Sequence, residues 1–214
     1  MKLRTNIRSL FPTFLIYSLV IPLLAHADAA LPETNWPPKI GSEYPNLQLL
    51  NADGKSFSLN SLKGKVIIIE LSAMSCPATQ AFSGAHRFGG FRGISPQPGL
   101  PSFEEVFERY SDGLKIKGDP DLAFVQIVFY DMNLKAPAPQ ELRDWISHFK
   151  LSDLKNAYIL AAPAALTNVT SRSLIPGFHL LDKKFVLRND ASGTARQPLL
   201  FSELIPAVGN LVSE

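Results

Sequence analysis

Gly64-Lys65 launches the run Val66-Ile67-Ile68-Ile69-Glu70-Leu71, and a short turn later comes Ser75-Cys76-Pro77-Ala78-Thr79-Gln80-Ala81-Phe82. A continuous β-branched run of this kind suits a strand buried on both faces. Proline is tolerated at the first position of a helix, and helix formers follow Pro77, so the chain passes from a central strand into a helix with Cys76 at the junction. Upstream, Leu47 to Leu50 and Ser56 to Leu59 flank Asn51-Ala52-Asp53-Gly54-Lys55, where Asp-Gly between β-prone runs predicts a hairpin. Downstream, Leu122 to Tyr130 reads as a second buried strand. Pro139 to Phe149 reads as a helix with Leu142, Trp145, Ile146 and Phe149 on one face.

Ser102-Phe103-Glu104-Glu105 opens another helix: Ser102 can cap it, Glu105 sits three residues on, and Val106, Phe107 and Tyr110 supply its apolar face. Ala157 to Ala161 suits a short strand, Phe178–Leu181 and Phe185–Arg188 an antiparallel hairpin, and Leu200 to Val212 a closing helix. Alternation of strand and helix calls for an α/β domain, a largely parallel sheet with helices on both sides. Gly84 to Pro101, with five Gly and three Pro, reads as an excursion from the compact fold.

Composition narrows the function. The 214 residues are 46% hydrophobic and 19% charged, too apolar for disorder, and one domain accommodates them. Net charge is +2, but Lys2, Arg4 and Arg8 precede any acid, leaving 18 basic against 19 acidic residues from Asp28 onward. That balance argues against a nucleic-acid partner. The first 27 residues read as a signal peptide: a basic start, an apolar Leu10 to Leu24, and Ala25-His26-Ala27 as the cleavage site. The apolar stretch is short and interrupted by Pro12 and Pro22, so no stable membrane insertion is expected after cleavage. The mature chain is then periplasmic or secreted, with residues 28–44 a proline-stiffened, extended lead-in and residues 45–214 the domain.

With one cysteine, no internal disulfide and no multi-cysteine metal site can form. A thiolate at a helix N-terminus meets unpaired amides and the positive end of the dipole, which draws its pKa below the free value of about 8.5 and makes it a better nucleophile. The opposing reading, an inert small hydrophobe, stays open. Glu70 lies inside an apolar run, where burial raises a carboxyl pKa and suits it to moving protons; an edge position or a lysine partner would make it ordinary. Asp131 and Met132 end the second strand, where Asp131 either tunes the sulfur or caps the next turn. A thioether near a thiol suits Cu(I), but no second cysteine completes such a site, and His86, His148 and His179 show no ligand spacing. No metal and no cofactor is expected.

The order hairpin, buried strand, Cys at a helix start, strand, helix, then Pro176 leading into a hairpin and a last helix resembles the thioredoxin-like superfamily. Within it, Asp53-Gly54-Lys55 and Leu62-Lys63-Gly64-Lys65-Val66 before the strand resemble the redoxin branch of peroxiredoxin-like and thiol–disulfide exchange proteins. The resemblance spans Gly41 to the C-terminus and implies a three-layer fold, a mixed central sheet flanked by helices with an N-terminal hairpin extension. It places Cys76 as the nucleophile, Glu70 as the buried proton-moving carboxylate six residues before it, and Thr79 where a second cysteine would stand. Thr79 either hydrogen-bonds the sulfur or merely fills space. Ile175-Pro176 resembles the cis-proline loop that offers backbone groups to a thiol or extended peptide.

The departures are specific. Peroxiredoxins carry Thr three residues before the cysteine and Pro four before that; here Ala73 and Ile69 stand there. The Cys-x-x-Thr string is similar to that of glutathione peroxidases, without their other peroxide-binding segments. The resemblance therefore implies an exported thiol oxidoreductase using one reactive cysteine for thiol–disulfide exchange or antioxidant chemistry. Its reductant is an external thiol or a partner protein with a CxxC pair. A redox-inactive module holding a protein client, or a one-cysteine peroxidase, are the alternatives.

Overall fold

The computed structural model describes residues 36–214; the signal peptide expected over residues 1–27 and residues 28–35 of the expected lead-in lie outside the described residues. Seven strands form one sheet: β1 (Gln48–Leu50), β2 (Ser56–Ser58), β3 (Val66–Ala73), β4 (Leu122–Tyr130), β5 (Ala157–Ala161), β6 (Gly177–Leu181) and β7 (Leu187–Asp190). Their spatial order is β2-β1-β5-β4-β3-β6-β7. β3, β4 and β5 run parallel at the centre, and antiparallel pairs close both edges. The helices are α1 (Pro77–Phe82), α2 (Ala85–Phe88), α3 (Phe103–Tyr110), α4 (Pro139–Phe149), α5 (Val169–Ser173) and α6 (Ile205–Ser213).

Every residue of β3 and β4 is buried, as their unbroken apolar runs require. Alternation then divides the core. Ile67, Ile69, Leu71, Val125 and Ile127 point to one face, where Tyr44, Leu47, Leu59, Leu62 and Phe185 meet them. Val66, Ile68, Leu122 and Phe124 point to the other, under α1, α3 and α6, while Val128 and Met74 join α4. Most helices thus crowd one face. The first face is covered instead by the end of the lead-in, where Trp36 packs on Phe129 at 5.9 Å and donates to Ser171 Oγ of α5 at 3.0 Å.

Two segments differ from the sequence-based expectations. Gly84 to Pro101 does not stand away from the body: it contains α2, buries Ala85, Phe91 and Leu100, and stacks Phe91 edge-on against Trp145 at 5.3 Å. Its apolar residues anchor it while the glycines supply turns; a Cβ on Gly90 would lie 1.6 Å from the Ile94 carbonyl oxygen. The closing helix is α-helical only from Ile205, and residues 200–204 form a wider π-helical turn. Pro206 has no N–H to give to the carbonyl four residues back, so the regular ladder cannot run through it.

Candidate functional site

The parallel pairing of β3 with β4 slips at Ser72/Ala73, so that Ala73 sits opposite Tyr130. Such a bulge bends a strand end and re-aims the residues beyond it. Met74 N–H donates to the Tyr130 carbonyl at 2.9 Å and Cys76 N–H to the Ala73 carbonyl at 3.0 Å, which closes the turn. Cys76 then has extended backbone (φ −81°, ψ 121°) as the cap residue of α1, with Pro77 in the first turn and no side chain capping the helix. The thiol is half-buried and free, packed against the cores of both sheet faces.

Gln80, which sequence reasoning did not single out, brackets this turn. Its Nε2 donates to the Met74 carbonyl at 2.6 Å and its Oε1 accepts from Phe91 N–H at 2.7 Å. Gln97 N–H reaches the Pro77 carbonyl at 2.9 Å, so the Gly84 to Pro101 segment is strapped to the start of α1 beside Cys76. A buried glutamine one turn into a helix is the sequence signal that a loop is pinned there.

Antiparallel pairing of β6 with β3 places Gly177 opposite Leu71, so residues 175 and 176 continue alongside the end of β3 toward the Cys76 turn. The Ile175-Pro176 peptide bond is cis, and Ile175 packs into the same core as Cys76. Gly177 is required by close approach: a Cβ there would lie 2.3 Å from the Leu174 carbonyl oxygen and 2.6 Å from Ser192 Cα.

Thr79 is completely buried and its Oγ1 has no hydrogen-bond partner. The bond to the sulfur considered from the sequence is therefore not made: Thr79 is turned into the core, while Cys76, at the cap, leans toward solvent. Glu70 is also fully enclosed, on the face covered by the helices. Neither an edge nor a lysine relieves it. Its register partner Gln126 donates through Nε2 to Glu70 Oε2 at 2.9 Å and to Ser83 Oγ at 3.0 Å, and accepts at Oε1 from Trp145 Nε1 at 2.8 Å. Burial pushes the Glu70 carboxyl up to about 8 against the smaller opposing effect of the Gln126 bond.

Asp131 caps the turn after β4, its Oδ1 accepting from the amides of Asn133 at 2.7 Å and Lys135 at 2.8 Å. Met132 packs on the α4 side of the core. Of the histidines among the described residues, His86 and His148 bond backbone carbonyls, while His179 is buried in a polar chain the sequence did not announce. Tyr44 Oη lies 2.9 Å from His179 Nδ1, His179 Nε2 lies 3.5 Å from Asp190 Oδ1, and Arg196 lies 2.5 Å from Asp190 Oδ2. Among the described residues no three His, Cys, Asp or Glu side chains are grouped to hold a metal ion, and no helix is long and apolar enough to cross a membrane.

No family profile and no curated sequence matches the chain. Solved structures do. A candidate protein disulfide isomerase from Bacteroides thetaiotaomicron is 17% identical, covers 82% of this chain and 91% of its own, and superposes with a TM-score of 0.53. BsSco, a member of the Sco family of cytochrome c oxidase assembly proteins, is 16% identical over 81% of this chain and 95% of its own, with a TM-score of 0.51. The C-terminal domain of a candidate thiol-disulfide oxidoreductase from B. thetaiotaomicron is 17% identical over 82% and 97%, with a TM-score of 0.50. With its mixed sheet, its flanking helices and a cysteine where the central strand turns into a helix, the chain has the thioredoxin-like fold.

Proposed function

We propose that this protein is an exported, periplasmic or secreted thiol oxidoreductase that works through the single thiol of Cys76. One observation carries the reading: a half-buried free cysteine stands at the N-cap position of α1, at the carboxyl end of the central strand of a thioredoxin-like sheet, with Ile175-Pro176 running alongside. The Cys76 thiolate attacks one sulfur of a partner disulfide, forming a mixed disulfide and releasing the other sulfur as a thiolate. An external thiolate, or the first thiol of a reductant's CxxC pair, then attacks the Cys76 sulfur and releases the partner's remaining sulfur as a thiolate; a second external thiol, or the second of the CxxC pair, opens the resulting Cys76–reductant disulfide, leaving the reductant as a disulfide and Cys76 free. The two electrons come from the external thiols, since this chain has no second cysteine. Ile175-Pro176 offers the surface on which the partner lies, and the strapped Gly84 to Pro101 segment extends it. Glu70 is the carboxyl able to hold or release a proton near neutral pH on the strand leading to the thiol.

The test is intact-mass analysis after exposure to oxidised glutathione. We expect a thiol-reversible glutathione adduct that is absent from Cys76→Ser, and mixed disulfides with client proteins trapped from periplasmic extract. A Cys76 thiol that stays unmodified under excess disulfide overturns the redox reading in favour of a binding module. Hydrogen peroxide leaving a sulfenic acid on Cys76, with no disulfide exchange, would instead assign the peroxidase reading.

A further inference from the structure

The charge that flanks the Cys76 turn is one-sided. Arg172 of α5 is exposed and holds its guanidinium over the Tyr130 ring at 5.3 Å. Tyr130 stands opposite Ala73, and its carbonyl accepts from Met74 N–H at 2.9 Å. The Arg172 carbonyl accepts from Ile175 N–H at 3.2 Å, and Tyr130, Ile175 and Cys76 pack into one core. Arg172 therefore stands beside both segments that border the thiol. Lys135, also exposed, lies in the turn that follows β4, five residues beyond Tyr130. No carboxylate among the described residues pairs with either cation. The acids that end β4 and β7, and those that open α4, are already committed. Asp131 is only 5% exposed and accepts from two amides of its own turn, Asp190 is held by His179 and Arg196, and Glu141 and Asp144 pair with Arg92.

Apolar surface accompanies the two cations. Val169, 84% exposed, is the first residue of α5 and shares a helix face with Arg172 three positions on. Leu134, 50% exposed, precedes Lys135 and takes a left-handed backbone with φ 61°, a conformation that costs a non-glycine residue and is retained where the surroundings impose it. The positive charge is local, because the chain from Asp28 onward carries 18 basic against 19 acidic residues; it is a feature of this edge and not a general attraction for polyanions. We propose that the disulfide exchanged at Cys76 belongs to an acidic protein segment, in which carboxylates within a few residues of the partner's cysteine meet Arg172 and Lys135 while an apolar neighbour covers Val169 or Leu134. This inference rests on the thiol reading above and names its substrate class. A basic segment is repelled at the same place, so Arg172 and Lys135 set specificity and speed the encounter.

The test uses the full mature chain and two peptides, each with one cysteine held as a 2-pyridyl disulfide and flanked either by glutamates or by lysines. The Cys76 thiolate attacks the peptide sulfur, forming a Cys76–peptide disulfide, and pyridine-2-thione leaves with a proton and is read by absorbance. Each rate is divided by that of the same peptide with 2-mercaptoethanol, which removes the peptides' intrinsic difference. We expect the acidic peptide to react about tenfold faster at low ionic strength, with the ratio falling toward one in high salt. Arg172→Gln and Lys135→Gln should each lower the ratio by about threefold, whereas a merely structural fault slows both peptides and leaves the ratio in place. If Arg172→Gln fails to fold, Lys135→Gln and the salt response decide. A wild-type ratio of one or below overturns the inference. A preference that emerges only in Asp28→Asn/Glu33→Gln also overturns it and assigns the surface to the chain's own lead-in. Neutral 2,2′-dithiodipyridine separates the two readings: a Cys76 that does not react with it removes the thiol reading and this one together, and a Cys76 that reacts with it but treats the peptides alike removes this one alone.

Discussion

Glu70 and Thr79 are both buried with an oxygen left unbonded, but they differ in consequence. Thr79 carries no charge, and its hydroxyl has only a desolvation penalty. Thr79→Val keeps the shape and removes that penalty, so it should leave stability unchanged or raise it by about 1 kcal/mol, checked by urea unfolding. Disulfide exchange at Cys76 should persist in that variant, because Thr79 makes no bond to the sulfur. Glu70 makes stability depend on pH. Between about 4.5, where the carboxyl loses its proton in the unfolded chain, and about 8, where it does so in the folded one, only the folded state holds the proton. Stability therefore falls as pH rises through that window, by about 1.4 kcal/mol per unit at most, and levels off above it. Glu70→Gln keeps an acceptor for Gln126 and cannot ionise, so its unfolding midpoint should lose this component of the decline between pH 5 and 8.

The helices owe their places to different devices. α3 is held by a capping box: Ser102 Oγ accepts from Glu105 N–H at 3.4 Å, and Glu105 Oε2 accepts from Ser102 N–H at 3.0 Å. Ser102→Ala should destabilise the protein by about 1 kcal/mol, measured as a fall in the urea midpoint with an unchanged slope. α1 has no such cap and is only six residues long, so its start is held from outside by Gln80, Gln97 and the turn that follows the β3–β4 register shift. The β6 strand begins with Gly177 wedged against Leu174 and Ser192 backbone. Gly177→Ala should push residues 175–176 away from the Cys76 turn. We expect a lower thermal midpoint and slower disulfide exchange, and a variant with both unchanged would show that this approach can relax.

Across the whole molecule, the Tyr44–His179–Asp190–Arg196 chain ties the lead-in to β6, β7 and the segment before α6. Burial alone would raise the Asp190 carboxyl; hydrogen bonds from His179 and Ser192 and the charge of His179 outweigh it and hold the group well below the usual carboxylate range. Burial, then the charge of Asp190, keeps the Tyr44 phenol protonated far into alkali. The sign for Asp190 is opposite to that for Glu70. Its contribution is present above its unfolded value near 3.8 and is lost as pH falls toward the folded one. Asp190→Asn should therefore be less stable than wild type at pH 7, with the two converging under acid, read from urea midpoints across pH 7 to 2.

The sequence by itself determined the elements and the cysteine's place among them. The β-branched runs of β3 and β4, the capping box of α3, the Asp-Gly hairpin and the Cys-Pro helix start act within a few residues, so their spacing is visible without the rest of the chain. Tertiary structure decided which polar groups meet. Gln126 reaches Glu70 across 56 positions, and Tyr44 reaches His179 across 135. Such pairs depend on strand order and register, which arise from packing of the whole sheet and leave no periodic trace in the chain.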